Sequence, residues 1–394
     1  MLDVASRPAL GARSGRAEPA PLAFLRRLDW ILLGAALALV GYGLWVVSGI
    51  TRFDVPGDPS YYVVRQAIAA GVGFAGLVAA AALPLDLARR HWQLVYGLTL
   101  GLMVVVFVAA EAVRGSKRWL DLGPIQFQPS ELGKVLFVLA IGGFLAGRVG
   151  RVTRWRTIFG ALGLGAAPVL LVFLQPDLGT ALVYSAALLA LLFLAGVRWR
   201  QLGLLLGAAA LGVVAALWLL PAAGVQVLKP YQAARLTLDP NADPSGLTYN
   251  LDQSITTVGS GGLTGRGVLG ATQTRLDYLP EHATDFAFAS LAEQRGFVGS
   301  TILLLLYLLV VWRGLRVVTV AGDLYGAVVA GSLVFAFLFQ VFVNVGMTMG
   351  VAPVTGIPLP FVTVGGSSLV ANLVLVGVLQ GVHARGRLSE RSGP

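Results

Sequence analysis

The chain contains no cysteine. It therefore holds no disulfide and no thiolate metal site. Its three histidines, His91, His282 and His383, are scattered. That spacing argues against a histidine-ligated zinc centre. Charge is also scarce, at 12% of 394 residues. A soluble globular domain carries roughly 25%. So few charges cannot cover a soluble fold of this size. What the chain has instead is apolar residue, 56% of the total, with a mean hydropathy of +0.78. Apolar runs recur from end to end, which indicates many membrane crossings rather than one anchor.

A spanning helix needs about 20 mostly apolar residues. By that measure the candidate spans are Trp30–Ile50, Gln66–Leu83, Trp92–Ala110, Leu132–Gly147, Ile158–Leu174, Leu178–Val197, Leu202–Leu220, Leu291–Trp312, Gly322–Val345 and Ser367–Val382. The expected fold is an all-α polytopic membrane protein of about ten helices, with a long structured extracytoplasmic loop between the seventh and eighth. Residues 29–383 form the membrane domain. Residues 1–28 carry Arg7, Arg13 and Arg16 among Ala, Gly and Pro, without the apolar core of a signal peptide. They read as a disordered cytoplasmic tail, and residues 384–394 as a second cytoplasmic tail.

The formal net charge of +10 is first a statement about topology, not about nucleic acid, because Lys and Arg gather in cytoplasmic loops. With the N-terminus inside, every inner turn carries arginines: Arg89 and Arg90, Arg148 to Arg156, Arg198 and Arg200, Arg313 and Arg316. The short outer loops around Asp177 and Pro353 carry none. Both termini are therefore expected in the cytoplasm, and the protein in the inner membrane.

Polar character concentrates on the other face. Segments Glu111–Glu131 and Gly224–Ser290 are long and rich in Gly, Pro and polar residues, and Gly346–Gly366 contains three prolines. Long loops of this kind are functional or disordered. Their Trp, Tyr and Leu content points to packing on the helices. Within Gly224–Ser290, Asp277, Glu281 and Asp285 fall within nine residues. A partly dehydrated carboxylate takes up protons more readily. An arbitrary acid in such a loop is more often a solvated charge. Asp285 differs, because Phe286, Ala287 and Phe288 follow at once. It stands at the membrane boundary, where a charge tends to be functional. The cluster Gly259 to Gly270 lacks the Lys-Ser/Thr of a phosphate-binding P-loop. Such runs more often make tight turns.

Arg114, Lys117 and Arg118 precede Gln128-Pro129-Ser130-Glu131 and Lys134. Pro129 with Ser130 and Glu131 marks a helix start. Glu131 and Lys134, three apart, can pair on one face. The basic group suits an anionic phosphate, or equally lipid head groups. Asp177 in Gln175-Pro176-Asp177 reads as a helix N-cap rather than a catalytic acid.

These motifs, taken in order, resemble the SEDS family (shape, elongation, division and sporulation). The resemblance rests on Gln128–Glu131, Gln175–Gly179, Tyr249–Gly267, Leu279-Pro280-Glu281 with Thr284-Asp285-Phe286, and Pro358-Leu359-Pro360 with Gly365-Gly366-Ser367-Ser368. It runs from about Asp29 to Val382. The stretch Pro353–Pro360 is closer to the elongation branch, RodA, than to the division branch, FtsW. The resemblance implies ten helices and a peptidoglycan glycosyltransferase that polymerises lipid II at the outer face of the membrane. It implies a class B penicillin-binding protein as transpeptidase partner, and elongation-complex proteins around it. The family's essential aspartate falls on Asp285, its accessory acid on Asp277, and its Glu and Lys on Glu131 and Lys134. The family reads Pro-Glu-x-His-Thr-Asp-Phe, whereas here His282 lies one position early.

The reaction expected is transfer of a lipid-linked glycan to the sugar hydroxyl of a lipid II acceptor. Asp285 is the general base. The leaving lipid pyrophosphate calls for cationic support from Lys134, Arg114, Lys117 or Arg118, with a divalent cation, Mg or Mn, as a further candidate. Two rival readings use the same residues without bond chemistry. One is a lipid II flippase and the other a scaffold for the penicillin-binding protein. A transporter places its key charges near the midplane, whereas this chain gathers acids in an outer loop.

Overall fold

A computed structural model of the chain describes residues 26–109, 118–121, 126–225 and 246–391. The fold is an all-α polytopic membrane bundle. Its long helices are α1 (Trp30–Ile50), α2 (Tyr61–Ala82), α4 (Trp92–Ala109), α5 (Pro129–Ala146), α6 (Trp155–Leu174), α7 (Leu178–Leu194), α8 (Trp199–Ala222), α12 (Ala287–Val320), α13 (Leu324–Thr348) and α14 (Gly366–Arg391). Eight are long and apolar enough to span a bilayer, and α4 and α7 are shorter apolar helices. A short α3 (Leu85–Arg90) joins α2 to α4. A two-stranded antiparallel ribbon, β1 (Leu120–Asp121) and β2 (Gln126–Phe127), leads into α5.

The caps follow from the sequence. Asp29 accepts from the main-chain N–H of Ile31 and Leu32, at 3.1 and 3.0 Å, and starts α1. Pro129 occupies the first turn of α5, where its missing N–H costs nothing. Asp177 caps α7 by accepting from the N–H of Thr180 at 3.0 Å, the role its place in the sequence suggests.

Packing is graded across the bundle. Helices α5 and α14 are buried along most of their length, and α14 lies against α2. Helix α8 is almost wholly exposed. Its outward residues include Trp199 and Leu211. An apolar surface of this kind is what a lipid-facing helix presents.

The segment between α8 and α12 is not a bare loop. It contains α9 (Leu247–Ser260), α10 (Gly267–Gly270) and α11 (Thr272–Arg275). The glycine cluster docks it. At Gly296, φ is +65° and ψ is −163°, which breaks α12. A Cβ on Gly296 would stand 2.3 Å from the main-chain nitrogen of Gly265, and one on Gly265 would stand 2.3 Å from the carbonyl oxygen of Gln294. Only glycine permits this approach of main chain to main chain. The N–H groups of Phe297 and Val298, freed by the break, donate to the carbonyls of Gly262 and Leu263. The cluster is thus a packing device that seats the segment on α12.

Candidate active site

The turn from Asp277 to Phe286 carries the acids. Asp277 and Glu281 both have left-handed backbone, with φ of +54° and +52°. Leu279 and Phe286 are buried and pack with Ala289 and Val354. This apolar anchor turns the chain into the start of α12. Four consecutive carbonyls of the turn are then each held by a different group. That of His282 accepts from Ser290 Oγ at 3.1 Å, and that of Ala283 from the N–H of Val364 at 3.0 Å. That of Thr284 accepts from Thr363 Oγ1 at 3.0 Å, and that of Asp285 from Asn344 Nδ2 at 3.1 Å. Elements far apart in sequence therefore fix the main chain at Asp285. The residue itself is half-buried.

Asp277 is mostly exposed, and its carboxylate lies 3.6 Å from His282 Nδ1. The other ring nitrogen, Nε2, is 3.1 Å from Asp54 in the loop between α1 and α2. Burial of the ring pushes the His282 pKa down. The hydrogen bond to Asp54 and the charges of Asp54 and Asp277 outweigh this and raise it above the ordinary histidine value.

A fully buried acid seats the segment further upstream. Glu293 accepts from the N–H of Gln273 at 2.9 Å, and from the N–H and Oγ1 of Thr274 at 3.0 and 2.7 Å. It caps α11 from a helix 20 residues later.

Glu131 and Lys134 pair on α5 as their spacing suggests, with Nζ 2.8 Å from Oε2. Both are buried. Glu131, Lys134 and Gln340 line a cavity of about 10 Å³ between α5, α13 and α14. That is room for about one water. Glu131 Oε1 and Gln340 Nε2 have no partner among the described residues. Gln340 and Asn344 are four apart on α13, so they share one face about 6 Å along the axis. That face joins the ion pair to the turn of Asp285.

Arg118 donates through Nε to the carbonyl of Gln175 at 2.8 Å and through Nη2 to that of Pro176. Its guanidinium thus stitches the ribbon to the α6–α7 turn. Gln128 Nε2 donates to Asp177 at 2.9 Å, and the Gln128 N–H donates to Ser367 Oγ at 2.7 Å. Three motifs distant in sequence meet here. Arg114 and Lys117 lie outside the described residues. Among those described, no three His, Asp or Glu gather closely enough to hold a metal ion. Asn344, Gln340 and Glu293 belong to none of the sequence motifs. The signal for the first two was available, since polar side chains inside an apolar span are candidates by default.

Residues 26–388 match the profile of the cell cycle protein family FtsW/RodA/SpoVE. The chain is 36% identical over 366 residues to "Peptidoglycan glycosyltransferase MrdB" of Escherichia coli, covering 92% of this chain and 97% of that one. It is 40% identical over 388 residues to "Probable peptidoglycan glycosyltransferase FtsW" of Thioalkalivibrio sulfidiphilus, covering 94% and 92%. The fold is similar to a solved structure described as "Structural coordination of polymerization and crosslinking by a peptidoglycan synthase complex". There the TM-score is 0.76 and the identity 33%, over 91% of this chain and 98% of that one. With a family profile spanning nearly all of it and relatives alike almost end to end, the chain belongs to the FtsW/RodA/SpoVE family, the SEDS family.

Proposed function

We propose that this peptidoglycan glycosyltransferase polymerises lipid II, with Asp285 as the general base. The observation that carries the reading is the frame of four held carbonyls from His282 to Asp285. It fixes the main chain that presents the half-buried Asp285 at the end of the bundle, which is part of the preorganisation a base needs. The acceptor hydroxyl gives its proton to Asp285 while its oxygen bonds to the donor's anomeric carbon. The bond from that carbon to the lipid pyrophosphate breaks, and the pyrophosphate leaves as an anion. Asp277, which lies in the same turn 3.6 Å from His282 Nδ1, is the accessory acid. Lys134 supports the developing charge on the pyrophosphate.

The arginine-rich turns lie at the opposite end of the helices from Asp285. By the positive-inside rule, Asp285 then faces the extracytoplasmic side of the inner membrane and both termini the cytoplasm. A class B penicillin-binding protein is the partner, in keeping with the synthase complex whose fold this chain shares. The stretch Pro353–Pro360 favours the elongation branch, although relatives of both branches are similar.

The test uses the purified full-length chain with its transpeptidase and lipid II. Asp285→Ala and Asp285→Asn should abolish glycan polymer while leaving the protein folded. Polymer at the wild-type rate from either variant removes Asp285 as the base. Lipid II translocation without any polymer, from a preparation free of other polymerases, favours the flippase reading instead.

A further inference from the structure

His282 is the residue that the family pattern puts one position away, and the structure gives it a definite place. It belongs to the turn of Asp285 through its main chain, and its ring reaches the loop between α1 and α2. There it meets Asp54, from a loop 228 residues away in sequence. The ring is largely buried, and the Asp54 carboxylate is 19% exposed. Asp277 closes on the second nitrogen at 3.6 Å.

A neutral imidazole offers one N–H and one lone pair. A lone pair facing a carboxylate is repelled. Carboxylates near both nitrogens therefore favour the imidazolium, which hydrogen-bonds Asp54 at 3.1 Å and faces Asp277 as an ion pair at 3.6 Å. The four held carbonyls seat the turn on α12, α13 and the segment before α14. The His282 ring adds the α1–α2 loop to that frame. It also gives the exposed carboxylate of Asp277 something to lean on.

We propose that His282 is a positioning residue for glycan polymerisation: its ring ties Asp54 to Asp277 and so holds the turn that presents Asp285 against the α1–α2 loop. This rests on Asp285 being the base.

The charged groups around the ring are few. Asp54 faces it from the α1–α2 loop and Asp277 from its own segment, with the main chain of Leu279 beside it. Asp54 also acts on Tyr62 of α2, which Tyr61 and Arg65 of the same helix neighbour. The His282 pKa is raised in the fold. Its contribution is complete below the ordinary histidine value of about 6.5 and is lost as the pH rises through the folded value.

The experiment measures kcat and KM for lipid II across about pH 6 to 9, bracketing the histidine range. It uses the full-length chain with its transpeptidase. His282→Gln and Asp54→Asn should each lower kcat roughly tenfold with little change in KM. The double variant should be no worse than either single one, because both break one link. Wild-type kcat should fall on the alkaline side, and His282→Gln should lack that fall. His282→Arg, whose charge does not titrate here and whose fork can reach two carboxylates, should restore activity with a flat profile. Wild-type kcat and pH profile in His282→Gln, or losses that multiply in the double variant, overturn the proposal. Should His282→Gln fail to accumulate, Asp54→Asn, which keeps the ring, decides the matter by the same readouts. Asp285→Ala is assayed in parallel. If it stays active, the base assignment fails, while the pH profiles still report whether His282 positions this turn.

Discussion

Asn344 spends its side-chain amide on two main-chain carbonyls, that of Asp285 at 3.1 Å and that of Ile357 at 2.7 Å. It is fully buried on α13. One amide thus ties the turn of the proposed base to the segment that leads into α14. Asn344→Leu keeps the volume and removes both donors. Each orphaned buried carbonyl costs about 1–3 kcal/mol. Loosening the turn should lower polymerisation roughly tenfold or more, since small misplacements at a reacting centre are costly. Single-turnover polymerisation and thermal unfolding of the purified variant measure the two effects. A normal rate in a destabilised protein would show that Asn344 holds the fold and not the base.

Much of this was legible in the sequence. Apolar runs marked ten helices, because a bilayer demands their length. Pro129 and Asp177 marked helix starts through local capping chemistry. The place of Asp285 against Phe286 singles it out in the sequence as the proposed base. The misses share a cause. The polarity of Asn344 inside an apolar span marks it as a candidate, but the partners of Asn344, Glu293 and His282 lie 59, 20 and 228 residues away, and no local pattern encodes such contacts. Arg118 shows the same limit. Its sequence setting suggests a phosphate ligand, and the structure gives it the carbonyls of Gln175 and Pro176. Helix ends also ran past the apolar runs. Helix α12 continues to Val320 rather than Trp312, since Arg313 finds a carboxylate inside the bundle. Helix α14 continues to Arg391.

The buried pair of Glu131 and Lys134 separates stability from chemistry. Lys134→Met leaves a carboxylate without its partner between α5, α13 and α14. Breaking a buried pair from one side costs about 3–5 kcal/mol. The double variant Glu131→Gln with Lys134→Met removes the stranded charge and should regain most of that loss. Polymerisation should stay lost in the double variant, because Lys134 serves the leaving pyrophosphate. Thermal unfolding and polymer yield, measured on the same samples, make the comparison. Recovery of activity along with stability would reduce the pair to a structural element.

The far end of the bundle offers the opposite case. Asp29 and Arg313 are both buried there, with Arg313 Nη2 and Nε at 2.5 and 3.0 Å from Asp29 Oδ2. Gln380 of α14 brackets the Asp29 main chain with two bonds of 2.8 Å. Three helices are joined at this point. It lies about 30 Å from the α1–α2 loop, the length of α1. Asp29→Ala strands the guanidinium and removes the cap of α1. It should cost about 3–5 kcal/mol for the broken pair, with up to about 2 more for the cap. Asp29→Ser with Arg313→Met keeps a capping oxygen and leaves no stranded charge, so it should regain most of that stability. Turnover per folded molecule should match wild type in both, because neither residue approaches the acids at the other end. Unfolding temperature and active-fraction-corrected kcat test this together. A lower kcat in the stable double variant would mean that the junction of α1, α12 and α14 communicates with the turn of Asp285 along the helices.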